Sequence, residues 1–237
     1  ALQRMLGPTS TLGPTVLSVL VCWTVPALLW RVVSTRPVGF SFGLVADVQA
    51  GDKPNGSNDG RVQYYREAFD KLGMAAAFWR AQCGGALWYL TRLIGGHGIN
   101  MRCVLSLGDA VDGNTSEEIT AAELRTVLAH FDSVPCPKHH VVGNHCIKKI
   151  PRDKGLAMLG HVGARAYYAA ELAPGWRLLV LDTTDLSIHG GWAPGSPQDA
   201  EARAYLSAHE GAERIQRYNG GVGVAQMAWL RAELRRA

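Results

Sequence analysis

Three short stretches carry the side chains best suited to chemistry. Asp47 and Gln49 follow the apolar run Phe42-Gly43-Leu44-Val45-Ala46. Asp109 and Asp112 follow Leu105-Ser106-Leu107-Gly108. Asn144 and His145 follow Val141-Val142-Gly143. A buried strand that ends in Gly-Asp sets a carboxylate at the carboxyl edge of a sheet, where open α/β sheets bind ligands. Gly108 allows close approach of the backbone. Side chains two apart on a strand share a face, so Asp47 and Gln49 can address one ion. Asp109 can then bridge two ions, and Asn144 and His145 offer an amide oxygen and an imidazole. Taken singly, each stretch also reads as an ordinary polar turn. The ordered set of three points to divalent metal ions and metal-assisted cleavage of a phosphoester or phosphoanhydride. Gln49 offers a neutral oxygen, and oxygen donors suit manganese or magnesium better than zinc.

The elements that must position these groups are legible in outline. Val38 to Ala46 is a near-continuous apolar run, as in a strand buried on both faces. Gly51 to Gly60 reads as a solvated loop, and Tyr64 to Gly95 has helical periodicity. Gly73 and Cys83-Gly84-Gly85 leave open whether that is one helix or two, and His97 falls in a glycine-rich turn. Met101 to Leu107 is the second strand. Thr115 or Ser116 caps a helix running to about Phe131, with Glu123 and Arg125 on its solvated face. The third strand follows Pro137. Tyr167–Leu172 and Arg177–Asp182 form a hairpin about Ala173-Pro174-Gly175, and Asp182 and Asp185 read as turn residues. Asp199 to Arg217 and Val224 to Arg236 complete the pattern as helices.

Hydrophobic content of 47% with 19% charged residues marks a globular chain rather than a disordered one. A net charge of +4 without Lys/Arg clusters among aromatics gives no support to nucleic-acid binding. The five cysteines are scattered and lack a Cys-x-x-Cys, which excludes a zinc knuckle and favours reduced thiols in a cytoplasmic setting. Residues 1–37 form a separate apolar tail, uncharged from Thr11 to Trp30. It is long enough for a membrane anchor or targeting segment but is interrupted by Pro14 and Pro26. Any membrane association would run through residues 11–30. The expected division is this tail and a domain over 38–237, acting as a monomer.

The three stretches together resemble the calcineurin-like metallophosphoesterases, whose blocks are Asp-x-His, Gly-Asp-x-x-Asp and Gly-Asn-His. Gln49 in place of histidine is similar to one branch, the manganese-dependent ADP-ribose/CDP-alcohol diphosphatases. Tyr64-Tyr65-Arg66, Tyr167-Tyr168, Pro174-Gly175-Trp176-Arg177 and Tyr218-Asn219-Gly220-Gly221 resemble the same branch. The resemblance implies an α/β fold, a double β-sandwich flanked by helices. It implies two divalent ions, manganese favoured and magnesium second: one on Asp47, Gln49 and Asp109, the other on Asp109 and Asn144. His145 would serve as general acid and Asp112 would orient His145 or a neighbouring loop. For these two, a core histidine and a turn or capping aspartate are the plain structural alternatives. The substrate implied is a nucleoside diphosphate compound, such as ADP-ribose or CDP-choline. Lys148 and Lys149 replace residues usual in the branch and could bring positive charge toward a diphosphate. The resemblance also implies a strand ending in histidine and a Gly-His-x-His block after the last helix. Neither occurs in this sequence, so the expectation is a domain whose carboxyl-terminal part is missing, with unpaired sheet edges and little activity. Another two-metal phosphomonoesterase or phosphodiesterase, or a non-catalytic domain, are the alternatives.

Overall fold

The computed structural model describes residues 40–58, 60–83, 101–212, 216 and 218–236. The expectations for residues 1–37, for His97 and for the helix beyond Cys83 lie outside the described residues.

Three parallel strands form the central sheet: β1 (Ser41–Val45), β4 (Met101–Ser106) and β5 (Lys138–His140), in the order β1-β4-β5. Between β1 and β4 come a small antiparallel hairpin, β2 (Gly56–Asn58) with β3 (Arg61–Gln63), and helix α1 (Glu67–Gln82). Helix α2 (Glu117–Asp132) connects β4 to β5. β4 is the middle strand and nearly all of it is buried, as its mostly apolar sequence, broken by Arg102 and Ser106, allows. β1 departs from the expectation of burial on both faces. Gly43 is buried but Phe42 and Leu44 remain 46% and 52% exposed. In the described sheet β1 is an edge strand, and one of its faces is open.

The core lies where α1 and α2 meet the sheet. Leu72, Ala76 and Trp79 of α1 pack with Leu124, Val127 and Phe131 of α2 and with Val104 of β4. Trp79 stacks on Phe131 with ring centroids 6.3 Å apart. Gly43 is what lets the indole lie on the strand, since a Cβ there would meet Trp79 Cε2 at 2.7 Å. α2 begins at Ser116, whose hydroxyl accepts from the Ile119 N–H at 3.3 Å.

The second half adds helix α3 (Arg152–Met158) and an antiparallel hairpin of β6 (Tyr168–Ala173) and β7 (Trp176–Val180). Helices α4 (Pro197–Ala208) and α5 (Val224–Leu234) follow. Among the described residues the hairpin forms a two-stranded sheet of its own. Its Tyr168 hydroxyl bonds His139 Nδ1 of β5 at 2.9 Å. Parallel and antiparallel sheets flanked by helices make the α/β fold that the sequence pointed to.

Three local expectations need correction and a fourth needs completing. The stretch from Gly51 to Gly60 is not simply loop, because β2 forms there against β3. Glu123 is not on a solvated face: it is buried, and its carboxylate accepts the Asp52 N–H at 2.7 Å. Asp182 opens a turn as expected, its carbonyl accepting the Asp185 N–H at 3.4 Å, but its side chain is buried against Arg152. α4 stops at Ala208 instead of continuing to Arg217, with Gly211 in the left-handed region at φ 82°.

Candidate metal site

β1, β4 and β5 run parallel, so their carboxyl ends fall on one edge, and the three motifs follow from those ends. The first two motifs are zipped together beyond the strands. The Gln49 N–H donates to the Asp109 carbonyl at 2.8 Å, Ala50 to Ala110 at 3.2 Å, and Asp112 to Ala50 at 3.0 Å. This pairing fixes Asp47 and Gln49 beside Asp109.

The backbone is strained at these positions. Asp47, Gln49 and Asp109 have φ of 51°, 44° and 47°, the non-glycine residues in the left-handed region among those described. Such conformations cost about 1–3 kcal/mol each and persist only where the surroundings impose them. All three are residues singled out as oxygen donors. Glycine makes the crowding possible. A Cβ on Gly143 would meet Asp109 Oδ1 at 2.1 Å and its amide nitrogen at 2.2 Å, and one on Gly113 would meet the His145 carbonyl at 2.2 Å. Gly-Asn-His therefore needs its glycine because the loop lies directly on Asp109.

Asp47, Asp109 and Asn144 line one pocket of about 150 Å³, together with Thr183, Thr184 and Tyr218. Asp109 Oδ1 accepts the His145 N–H at 3.0 Å. Burial raises the Asp109 carboxyl above its usual range; the His145 contact opposes this and the nearby Asp47 charge adds to it. Gln49 is held against Asp47, its Nε2 donating to Asp47 Oδ1 at 3.1 Å, and it does not line the pocket.

His145 and Asp112 meet, but not through the aspartate side chain. His145 Nδ1 donates to the Asp112 main-chain carbonyl at 2.5 Å. A carbonyl can only accept, so Nδ1 carries a proton, and Nε2 is the nitrogen left to exchange one. The buried Asp112 carboxylate pairs instead with Lys53 at 2.5 Å, and Lys53 also lies over the Tyr65 ring at 3.8 Å. Neither Lys53 nor the Thr183–Thr184 wall was foreseen. Lys53 is 59 positions from its partner, a separation that no local pattern reveals. Gly220 offered a signal: it sits in a motif already marked by resemblance, and a Cβ there would meet the Thr183 carbonyl at 1.8 Å. That contact brings the Tyr218 segment across the pocket.

Among the described residues, no three His, Cys, Asp or Glu side chains form a metal-binding group. The donors here are two carboxylates and two amides, a hard oxygen set that suits manganese or magnesium. At Asp109 desolvation and the Asp47 charge outweigh the offsetting effects of His145 and Lys148, and a divalent cation would restore the balance in favour of the carboxylate. The residues present thus fit such an ion.

No family model matches the chain. A manganese-dependent ADP-ribose/CDP-alcohol diphosphatase from Oryza sativa is 32% identical over 213 residues, covering 83% of this chain and 61% of that protein. The protein of the same name from Arabidopsis thaliana is 31% identical, covering 84% and 63%. The crystal structure of a dimetal phosphatase from Danio rerio superposes with a TM-score of 0.69 at 29% identity, over 85% of this chain and 66% of that one. The fold is similar to that of the dimetal phosphatase, and the motif placement is similar to that of the calcineurin-like metallophosphoesterases. The two plant relatives carry the name manganese-dependent ADP-ribose/CDP-alcohol diphosphatase, and the chain spans 61% and 63% of their length.

Proposed function

We propose that this protein hydrolyses the diphosphate bond of nucleoside diphosphate compounds with the help of two divalent ions, manganese favoured. ADP-ribose would yield AMP and ribose 5-phosphate; CDP-alcohols such as CDP-choline would yield CMP and a phospho-alcohol. The observation that carries this reading is the convergence of Asp47, Asp109 and Asn144 on one pocket at the ends of three parallel strands. The names of the relatives favour a diphosphatase over a phosphomonoesterase.

Asp47, Gln49 and Asp109 would hold one ion, and Asp109 with Asn144 the other. When bound, such ions neutralise phosphoryl charge and make water a nucleophile near neutral pH. The chain's own groups do the rest. His145, steadied by the Asp112 carbonyl, would protonate the leaving phosphate oxygen from Nε2. Lys148, held by Asn114 at 2.5 Å and close enough to influence Asp109, would draw a diphosphate toward the pocket mouth. The same reading has residues 38–237 as the metallophosphoesterase domain, working as a monomer in a cytoplasmic setting where its thiols stay reduced.

The test compares hydrolysis of ADP-ribose, CDP-choline and an aryl phosphate in manganese, alongside manganese binding followed by electron paramagnetic resonance. Turnover should favour the diphosphates. Asp109→Asn should lower both manganese affinity and turnover by more than about 100-fold while leaving the circular dichroism spectrum intact. Near-normal manganese binding in that variant would remove Asp109 from its bridging role.

A further inference from the structure

Away from the donor pocket, three thiols gather where α1 ends beside the sheet. Cys83 closes α1, its N–H bonded to the Trp79 and Arg80 carbonyls. Cys103 lies in β4. Cys136 precedes Pro137, whose carbonyl accepts the Val104 N–H at 2.9 Å. Since Val104 is registered with Lys138, Cys136 sits one residue from the cross-strand neighbour of Cys103. The Cys136 thiol lies close enough to Cys83 for the two sulfurs to interact. Cys83, Cys103 and Cys136 are all free.

The three are not equivalent. Cys103 is 1% exposed, shut inside the core. Cys83 and Cys136 are half-buried at the core's edge and reachable by a small solute. Burial and the Cys83 contact push the Cys136 thiol up to about 12, and burial pushes Cys103 up to about 11. Cys136 therefore keeps its proton near neutral pH, and the attack on an oxidant falls to Cys83.

We propose that Cys83 and Cys136 form a reversible disulfide when the protein meets a peroxide, fastening the end of α1 to the segment leading into β5. The Cys83 sulfur attacks one peroxide oxygen and the O–O bond breaks, giving Cys83 sulfenic acid and water. The Cys136 sulfur then displaces the hydroxyl, the S–S bond forms, and a second water leaves. Two thiols are oxidised by two electrons in all and one peroxide is reduced. A thiol reductant reverses the step by exchange. This inference stands independently of the diphosphatase reading.

The experiment uses the full chain, reduced, then treated with hydrogen peroxide, alkylated under denaturing conditions and digested without reductant. Mass spectrometry should find one new cross-linked peptide joining Cys83 to Cys136, lost on treatment with dithiothreitol, with Cys22, Cys103 and Cys146 alkylated. In Cys136→Ser, dimedone should trap a sulfenic acid at Cys83. A bridge from Cys83 to Cys103 or Cys22, five alkylated thiols after peroxide, or no dimedone adduct in the variant would each overturn the proposal.

Discussion

At the scale of single residues, the pocket is governed by how closely two loops touch. Gly143 is the sharpest case, because the space for its side chain is taken by Asp109. Gly143→Ala sets a methyl against both the carboxylate and the amide of Asp109, and the backbone there cannot yield without undoing the zipper to Gln49. The expected cost is about 1–3 kcal/mol of stability from overpacking. Manganese affinity should fall with it, since Asp109 must shift. Denaturant titration and manganese titration of the same variant check both. Unchanged binding in a variant of normal stability would mean that Asp109 holds no ion. Asp47, Gln49, Asp109, Asn144 and His145 could be named from the sequence because each closes an apolar run. Lys53 and Glu123 could not, since their partners Asp112 and Asp52 lie 59 and 71 positions away. A lysine in a polar loop and a glutamate on a helix look solvated until the fold closes around them.

At the scale of elements, α3 and the segments around it are joined by one buried cation. The Arg152 guanidinium pairs with Asp182, donates to Thr184 Oγ1 at 2.8 Å and to the Gly190 carbonyl at 2.7 Å, and lies over the Trp192 ring at 4.0 Å. Asp182 is also tied to α5, because Gln226 accepts its N–H at 2.8 Å and donates to its carbonyl at 2.9 Å. Thr183 and Thr184 wall the donor pocket, so this cluster sets the wall's position. Arg152→Leu strands a buried carboxylate, which should cost about 3–5 kcal/mol. Arg152→Leu with Asp182→Leu should recover part of that loss, and a double-mutant cycle by urea denaturation measures it. Strictly additive losses would dissolve the cluster as a unit. The strands, the hairpin and the Ser116 cap were readable from period, turn residues and capping chemistry. The cluster was not, because Arg152 and Asp182 each have an ordinary local role as a helix start and a strand end.

At the scale of the whole molecule, acid stability follows from the histidines that the fold encloses between β5, α2 and the hairpin. Burial pushes His140 down to about 4, and lowers His139 and His161 as well. Around His140 the Asp132 charge opposes the shift, while His161, His139 and Lys138 add to it. His140 also packs edge-on against Phe131 at 4.9 Å, which ties its neutral ring to the core shared by α1 and α2. These groups bind protons more weakly folded than unfolded, so stability is full above the unfolded histidine range of about 6.5. It is lost as the pH falls from there through the folded value of His140. A shift of this size corresponds to about 3 kcal/mol at most for one buried group. The Asp109 and Glu123 carboxyls, both raised by burial, act in the opposite sense at lower pH and soften the decline. The three strands could be inferred from three apolar runs, but the protonation of this interior could not, since a His-His pair reads the same on a surface strand. Urea denaturation at a series of pH values should show stability dropping between neutrality and pH 5, and His140→Phe should flatten that drop. An equally steep decline in His140→Phe would place the acid sensitivity elsewhere in the protein.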